Sequence, residues 1–120
     1  MLSFHVLRET EYVTLARRKD EVSWSDPALL ILGSLVSGPK HGYAIVQDTE
    51  RTVGITLGPG TLYAALARLE ERGHVRALPG EDRRRPYEIT AAGSALLTQR
   101  LEAMRSFAAR GLAQLRTAQA

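Results

Sequence analysis

Residues of catalytic type are few in this chain of 120 residues, and none falls into a working constellation. The three histidines, His5, His41 and His74, and the scattered serines and aspartates show no spacing suited to a nucleophile triad, a carboxylate pair or a metal site. There is no cysteine, which excludes disulfides and thiolate ligands. His41 precedes a helix start and reads as a loop or phosphate-proximal residue. His74 opens a strand and reads as structural. No enzyme activity, metal or cofactor is expected. The chemistry this sequence does carry is anion recognition, from the run Arg83-Arg84-Arg85 and from the stretch LGPGTLYAALARLEERG at residues 57–73.

That stretch reads as a helix from about Pro59 to Arg72, closed by Gly73. At about 100° per residue, Leu62, Ala65, Leu66 and Leu69 share one face and should meet a core. The opposite face holds Gly60, Ala64, Ala67 and Glu71, with Thr61, Tyr63 and Arg68 on its flanks. Small outward residues let a helix backbone lie close to a groove wall, and its first amides can meet a phosphate. Thr61 offers a hydroxyl and a methyl, Tyr63 a hydroxyl and a flat ring, and Arg68 a phosphate or guanine contact. The plainer reading is a helix start at Pro59-Gly60 with Tyr63 partly in the core. The arginine run falls between two short alternating segments, HVRAL (74–78) and PYEIT (86–90). It would form the tip of a hairpin over residues 79–86, suited to a nucleic-acid backbone or minor groove. Glu81 and Asp82 directly before it weaken its field, so a solvated loop is the alternative.

Other elements must position these two features. Asp26 and Pro27 cap a helix whose ALLILGSLV run is apolar on every side, so it should be buried. Ser37-Gly38-Pro39 ends it. GYAIVQDTERT follows as a second helix, with Tyr43, Ala44, Ile45 and Val46 expected inward. Residues 53–57 read as a connector that could hold one short strand. Earlier, residues 4–20 allow a helix, though Leu2, Phe4 and Val6 also alternate as a strand would. Residues 91–120 read as one long helix, about 45 Å at the standard rise. Its apolar positions Leu97, Leu101, Met104, Ala108 and Leu115, flanked by Phe107 and Leu112, step with a heptad-like period. A domain of this size cannot cover that length, so the seam is expected to pair with a second copy.

The fold class expected is mainly α with a small β-hairpin: a winged helix-turn-helix over residues 26–90, a C-terminal dimerisation helix over 91–120, and a helical N-terminal extension over 1–25. Trp24 would sit at the junction of that extension. The formal net charge is +3. By segment, 1–25 holds four basic and four acidic residues, 26–90 eight and eight, and 91–120 four and one, so the excess lies in the C-terminal helix. No apolar run approaches a membrane span, no secretory signal is read at the N-terminus, and a cytoplasmic location is expected.

Taken together, HGYAIVQDTE, LGPGTLYAALARLEERGHV and RRRPYEITAAGSALL resemble the PadR family of bacterial transcriptional regulators, over about residues 27–115. The resemblance implies a winged-helix dimer joined through its C-terminal helix, usually a repressor, in the branch with a short C-terminal region. By that resemblance Tyr43 would support the DNA-facing side. Gly58 to Tyr63 would open the recognition helix, and Arg83, Arg84, Arg85 and Tyr87 would form the wing. Two positions depart from the family: Ala67 stands where a basic residue is common, and Ala64 where Pro is common. With Glu71 also outward, more of the grip would come from the wing, helix N-termini and Lys40 or His41.

The function expected is a homodimeric, sequence-specific DNA-binding regulator, a repressor, on a pseudo-palindromic double-stranded operator. The dimer would join through Leu97, Leu101, Met104, Ala108, Leu112 and Leu115. A small-molecule effector would bind near Met104 and Phe107. The alternative is a winged-helix protein-interaction module that binds DNA poorly.

Overall fold

A computed structural model describes residues 26–81 and 84–119. The expected N-terminal extension with Trp24, and Arg83 of the wing, lie outside the described residues. The described elements run α1 (Pro27–Leu35), α2 (Gly42–Val53), α3 (Pro59–Glu71), β1 (Val75–Ala77), β2 (Tyr87–Ile89) and α4 (Ala91–Gln119).

Asp26 starts α1 by accepting the Ala28 amide at 3.4 Å, with Pro27 in the first turn. Leu29, Leu30, Ile31, Leu32 and Leu35 are all buried, as an all-round apolar helix requires. Ile45 of α2 joins this core, with Ala44 and Val46 half-buried. Tyr43, expected inward, is 67% exposed. Two residues turn a helix by about 200°, so Tyr43 cannot share the face of Ile45. The connector after α2 holds no strand; Leu57, buried, pins it to the core.

Leu62, Ala65, Leu66 and Leu69 of α3 fill the centre of the domain. Past its end the Gly73 amide bonds Glu70 O at 3.0 Å and the His74 amide bonds Leu69 O at 2.8 Å. This paired closure needs a left-handed residue, which Gly73 supplies at φ 79. The chain is thereby turned into β1. β1 and β2 pair antiparallel in the register Val75–Ile89, Arg76–Glu88 and Ala77–Tyr87. A third segment joins them: the Lys40 amide donates to Tyr87 O at 3.0 Å, and the Tyr87 amide to Lys40 O at 2.9 Å. The link before α2 is thus an edge of the same small sheet.

The corner into α4 depends on Thr90. Its hydroxyl donates to Gly73 O at 2.6 Å and accepts the Gly93 amide at 3.1 Å. A Cβ on Gly93 would lie 2.1 Å from His74 O, so only glycine allows this approach of helix to sheet. Leu97 follows one turn later and corrects the expected seam. It is 6% exposed and belongs to the domain's own core, not to a free surface. Met104 is half-buried against that core. The apolar stripe is continuous along α4, but its first turns lie over α1. An ion pair of 2.9 Å from Arg100 to Asp26 also ties α4 to the start of α1. Beyond it Leu101, Phe107, Leu112 and Leu115 are exposed, at 48%, 74%, 56% and 59%.

Candidate nucleic-acid interface

The outward face of α3 is built as its sequence suggests. Gly60, Thr61, Ala64, Ala67, Arg68 and Glu71 are all exposed, while the leucines beneath them are buried. Nothing lies within 4 Å of where a Cβ on Gly58 or Gly60 would be, so the entry to the helix is open. Gly58 precedes α3 in an extended conformation and offers no side-chain cap; His41 does the same for α2. The other two described helices differ. Asp26 caps α1 and Thr90 caps α4 with side-chain oxygens. The early amides of α2 and α3 therefore keep their capacity for an external anion, and the helix dipoles favour one there.

Tyr63 sits on the flank of α3 that faces α2. It is half-buried and packed against the core. A Cβ on Gly42 would come within 2.7 Å of its hydroxyl and 3.1 Å of Leu62. Gly42 thus lets α2 and α3 close on each other, and it is itself buried. Tyr63 serves first as packing between the two helices. Tyr43, one residue on, projects into solvent from the open end of α2.

Lys40 is placed differently from a free phosphate contact. Its ammonium reaches Ser34 O, at the end of α1, and Ser37 Oγ at 2.7 Å. A cation there meets the negative end of the α1 dipole. His41 remains exposed.

In the wing, the Leu78 amide bonds Pro86 O at 2.8 Å and the Arg84 amide bonds Glu81 O at 2.9 Å. Arg84 and Arg85 are exposed at the tip. Arg76 and Glu88 form an ion pair across the strands, with Arg76 Nε 2.9 Å from Glu88 Oε1. Tyr87 is half-buried, and burial foremost, then the charge of Glu70, pushes its phenol pKa up. It stays a neutral hydrogen-bonding group at physiological pH. The interface therefore carries Arg68, Arg84 and Arg85 against Glu70, Glu71 and Glu81.

Three parts were not read from the sequence. The bridge from Lys40 to Tyr87 is a single residue pair and has no strand pattern. The contrast between capped and open helix starts shows only when the caps are seen in place. Arg72 stands one helical turn from Arg68, a spacing the sequence does carry, but the approach of Arg100 from another helix is recorded in no linear spacing.

Residues 31–99 match the Transcriptional regulator PadR-like family. The chain belongs to this family. PadR-like proteins are transcriptional regulators, not enzymes. The chain is 46% identical over 80 residues to an uncharacterized 37.1 kDa protein in transposon TN4556 of Streptomyces fradiae. That match covers 67% of this chain but 23% of the relative, so the chain spans about a quarter of its length. A transcriptional regulator from Clostridium thermocellum is similar in structure, with a TM-score of 0.61 and 32% identity, over 67% of this chain and 83% of that one. A PadR family transcription regulator from Clostridium difficile shares the fold at TM-score 0.62 and 24% identity, over 78% and 98%. Bacillus subtilis PadR, solved in complex with operator DNA, shares it at TM-score 0.54 and 24% identity, over 62% and 44%. The expected fold, mainly helical with one hairpin, is the fold found in these PadR-like neighbours.

Proposed function

We propose that this PadR-like chain is a homodimeric DNA-binding repressor. The observation that carries the reading is the open face of α3, lying beside two uncapped helix starts and an arginine-tipped wing. The small residues Gly60, Ala64 and Ala67 would let α3 sit deep in a major groove, with Thr61 and Arg68 reaching base edges or phosphates. The amides of α2 and α3 and the residues His41 and Tyr43 would border the backbone. Arg84 and Arg85, with Arg83, would follow the flanking strand, and Tyr87 would hold the wing to α3. Lys40 would act through its hold on α1. The Bacillus subtilis relative was solved with operator DNA, which supports the same use of the fold here.

Within this reading, residues 26–90 are the DNA-binding unit and 91–120 the dimerisation helix, in a cytoplasmic protein. A helix of 29 residues is about 43 Å long. Leu101, Phe107, Leu112 and Leu115 leave an apolar stripe along its far half, suited to the same stripe of a second copy. Two-fold pairing would place two copies of α3 on a pseudo-palindromic operator. A small-molecule effector would lie along the groove of Met104 and Phe107, where a change in helix angle would move the reading heads.

A second reading, a winged-helix protein-interaction module, is favoured by the exposed Glu70 and Glu71 on α3. Salt separates the two. Phosphate contacts lose affinity steeply between about 50 and 200 mM salt, and apolar contacts do not. Titration of the chain with its own upstream promoter duplex and a scrambled duplex at both salts is the test. Preference for the promoter that fades with salt fits a repressor. Equal weak binding to both favours the interaction module or a regulator that acts at another site.

A further inference from the structure

A cleft of about 120 Å³ opens between the last turn of α3, the start of α1 and the second half-turn past Leu97 in α4. Arg68, Arg72 and Arg100 line it, together with Asp26. Among the described residues, three guanidinium groups and one carboxylate line this concave space, an excess of two positive charges. The carboxylate is committed. Asp26 is 7% exposed, caps α1 through Oδ1 and pairs with Arg100 through Oδ2 at 2.9 Å. Arg68 and Arg72 have no ion-pair partner among the described residues. The floor, from Ala28, Ala65 and Leu69, is apolar and holds no acid.

Arg68 and Arg72 are exposed and Arg100 is half-buried, so water screens their repulsion and the two exposed side chains can turn toward a ligand in the cleft. A planar guanidinium binds an oxyanion through two parallel N–H bonds, and several such groups around one anion offset that repulsion. We propose that this cleft is an oxyanion-binding pocket for a phosphate group, held by Arg68 and Arg72 and completed by Arg100. The anion would share Arg100 with Asp26. It would link the recognition helix to α4 and to the first turn of α1. The pocket does not depend on whether α3 reads DNA, because its ligand is defined by its own charge and shape. A DNA backbone and a free phosphorylated molecule both offer this group, and competition with duplex tells the two sources apart.

The test uses the full chain without DNA, titrated with inorganic phosphate against chloride at equal ionic strength. Binding is read by calorimetry and by the arginine Nε–H signals in NMR. Saturable binding with one phosphate per protomer is expected, with shifts at Arg68, Arg72 and Arg100 only. Arg72→Ala should weaken it about tenfold, the loss of one charge-assisted contact of about 1.4 kcal/mol. Arg100→Lys, which keeps a charge for Asp26, should weaken it as well while the fold persists. Arg76→Ala, whose arginine lies in the wing, should leave it unchanged. Duplex binding is then compared in the two buffers. If phosphate competes with DNA and Arg72→Ala weakens all duplexes, the natural occupant is a backbone phosphate. If duplex affinity is unaffected by both, it is a free anion. Absence of saturable phosphate binding, or equal weakening by Arg76→Ala, overturns the proposal.

Discussion

A single added methyl group is forbidden at one glycine of this fold and tolerated at another. At Gly93 an added Cβ would sit 2.1 Å from a backbone oxygen, and backbone cannot swing away. Gly93→Ala should therefore destabilise the domain by about 1–3 kcal/mol, as overpacking does, measured by urea unfolding. Gly60 has nothing within 4 Å, so Gly60→Ala should stabilise by about 0.5–1 kcal/mol by favouring helix. If the two variants shifted stability alike, the packing account of the α4 corner would be wrong. Asp48 supplies a pH-dependent contribution. The Ser34 hydroxyl foremost, then Arg51 and Lys40, hold its carboxyl below the usual range against an opposing effect of burial. A lowered folded pKa gives stability that is present above the unfolded value, about 3.9, and lost as pH falls through the folded one. Stability should fall more steeply below about pH 4 in the natural chain than in Asp48→Asn. The effect should be small, because the group is near solvent.

The elements show what a linear reading reaches. The register of α3 was legible because Leu62, Leu66 and Leu69 repeat at helical spacing and Gly73 marks the stop. The hairpin was legible from alternation on either side of a proline and glycine turn, one residue long at each strand end. Tyr43 was misread because an aromatic beside Ala44 and Ile45 looks apolar until its angle is counted. Leu97 was misread for a different reason. The stripe on α4 has one period throughout, and periodicity alone cannot say where a domain's own core ends and a second surface begins. Structure puts that boundary near Leu101. Two substitutions should behave accordingly. Leu97→Ala should cost about 2–5 kcal/mol in the domain's own stability. Leu112→Asp should keep the helical circular-dichroism spectrum while sedimentation velocity reports a monomer. A Leu112→Asp chain that still sediments as a dimer would show that the far half of α4 is not the interface.

For the molecule as a whole, net charge says little. The +3 excess lies in α4, and residues 26–90 are balanced at eight and eight. Placement matters more: exposed arginines at the wing, open amides at two helix starts, and acids at the end of α3 and at Glu81 beside the wing. DNA binding by this arrangement would rest on a few local phosphate contacts, so its salt slope should be traceable to named side chains. The most direct test of it is the slope of log affinity against log salt for the promoter duplex, compared between the natural chain and Arg84→Ala/Arg85→Ala. If the wing grips phosphates, the variant should bind every duplex more weakly, with a slope shallower by about two units for two lost contacts per protomer counted singly, or about four for a dimer. An unchanged slope and affinity would contradict the placement of the wing on DNA, and with it the proposal that this face of the protein reads an operator.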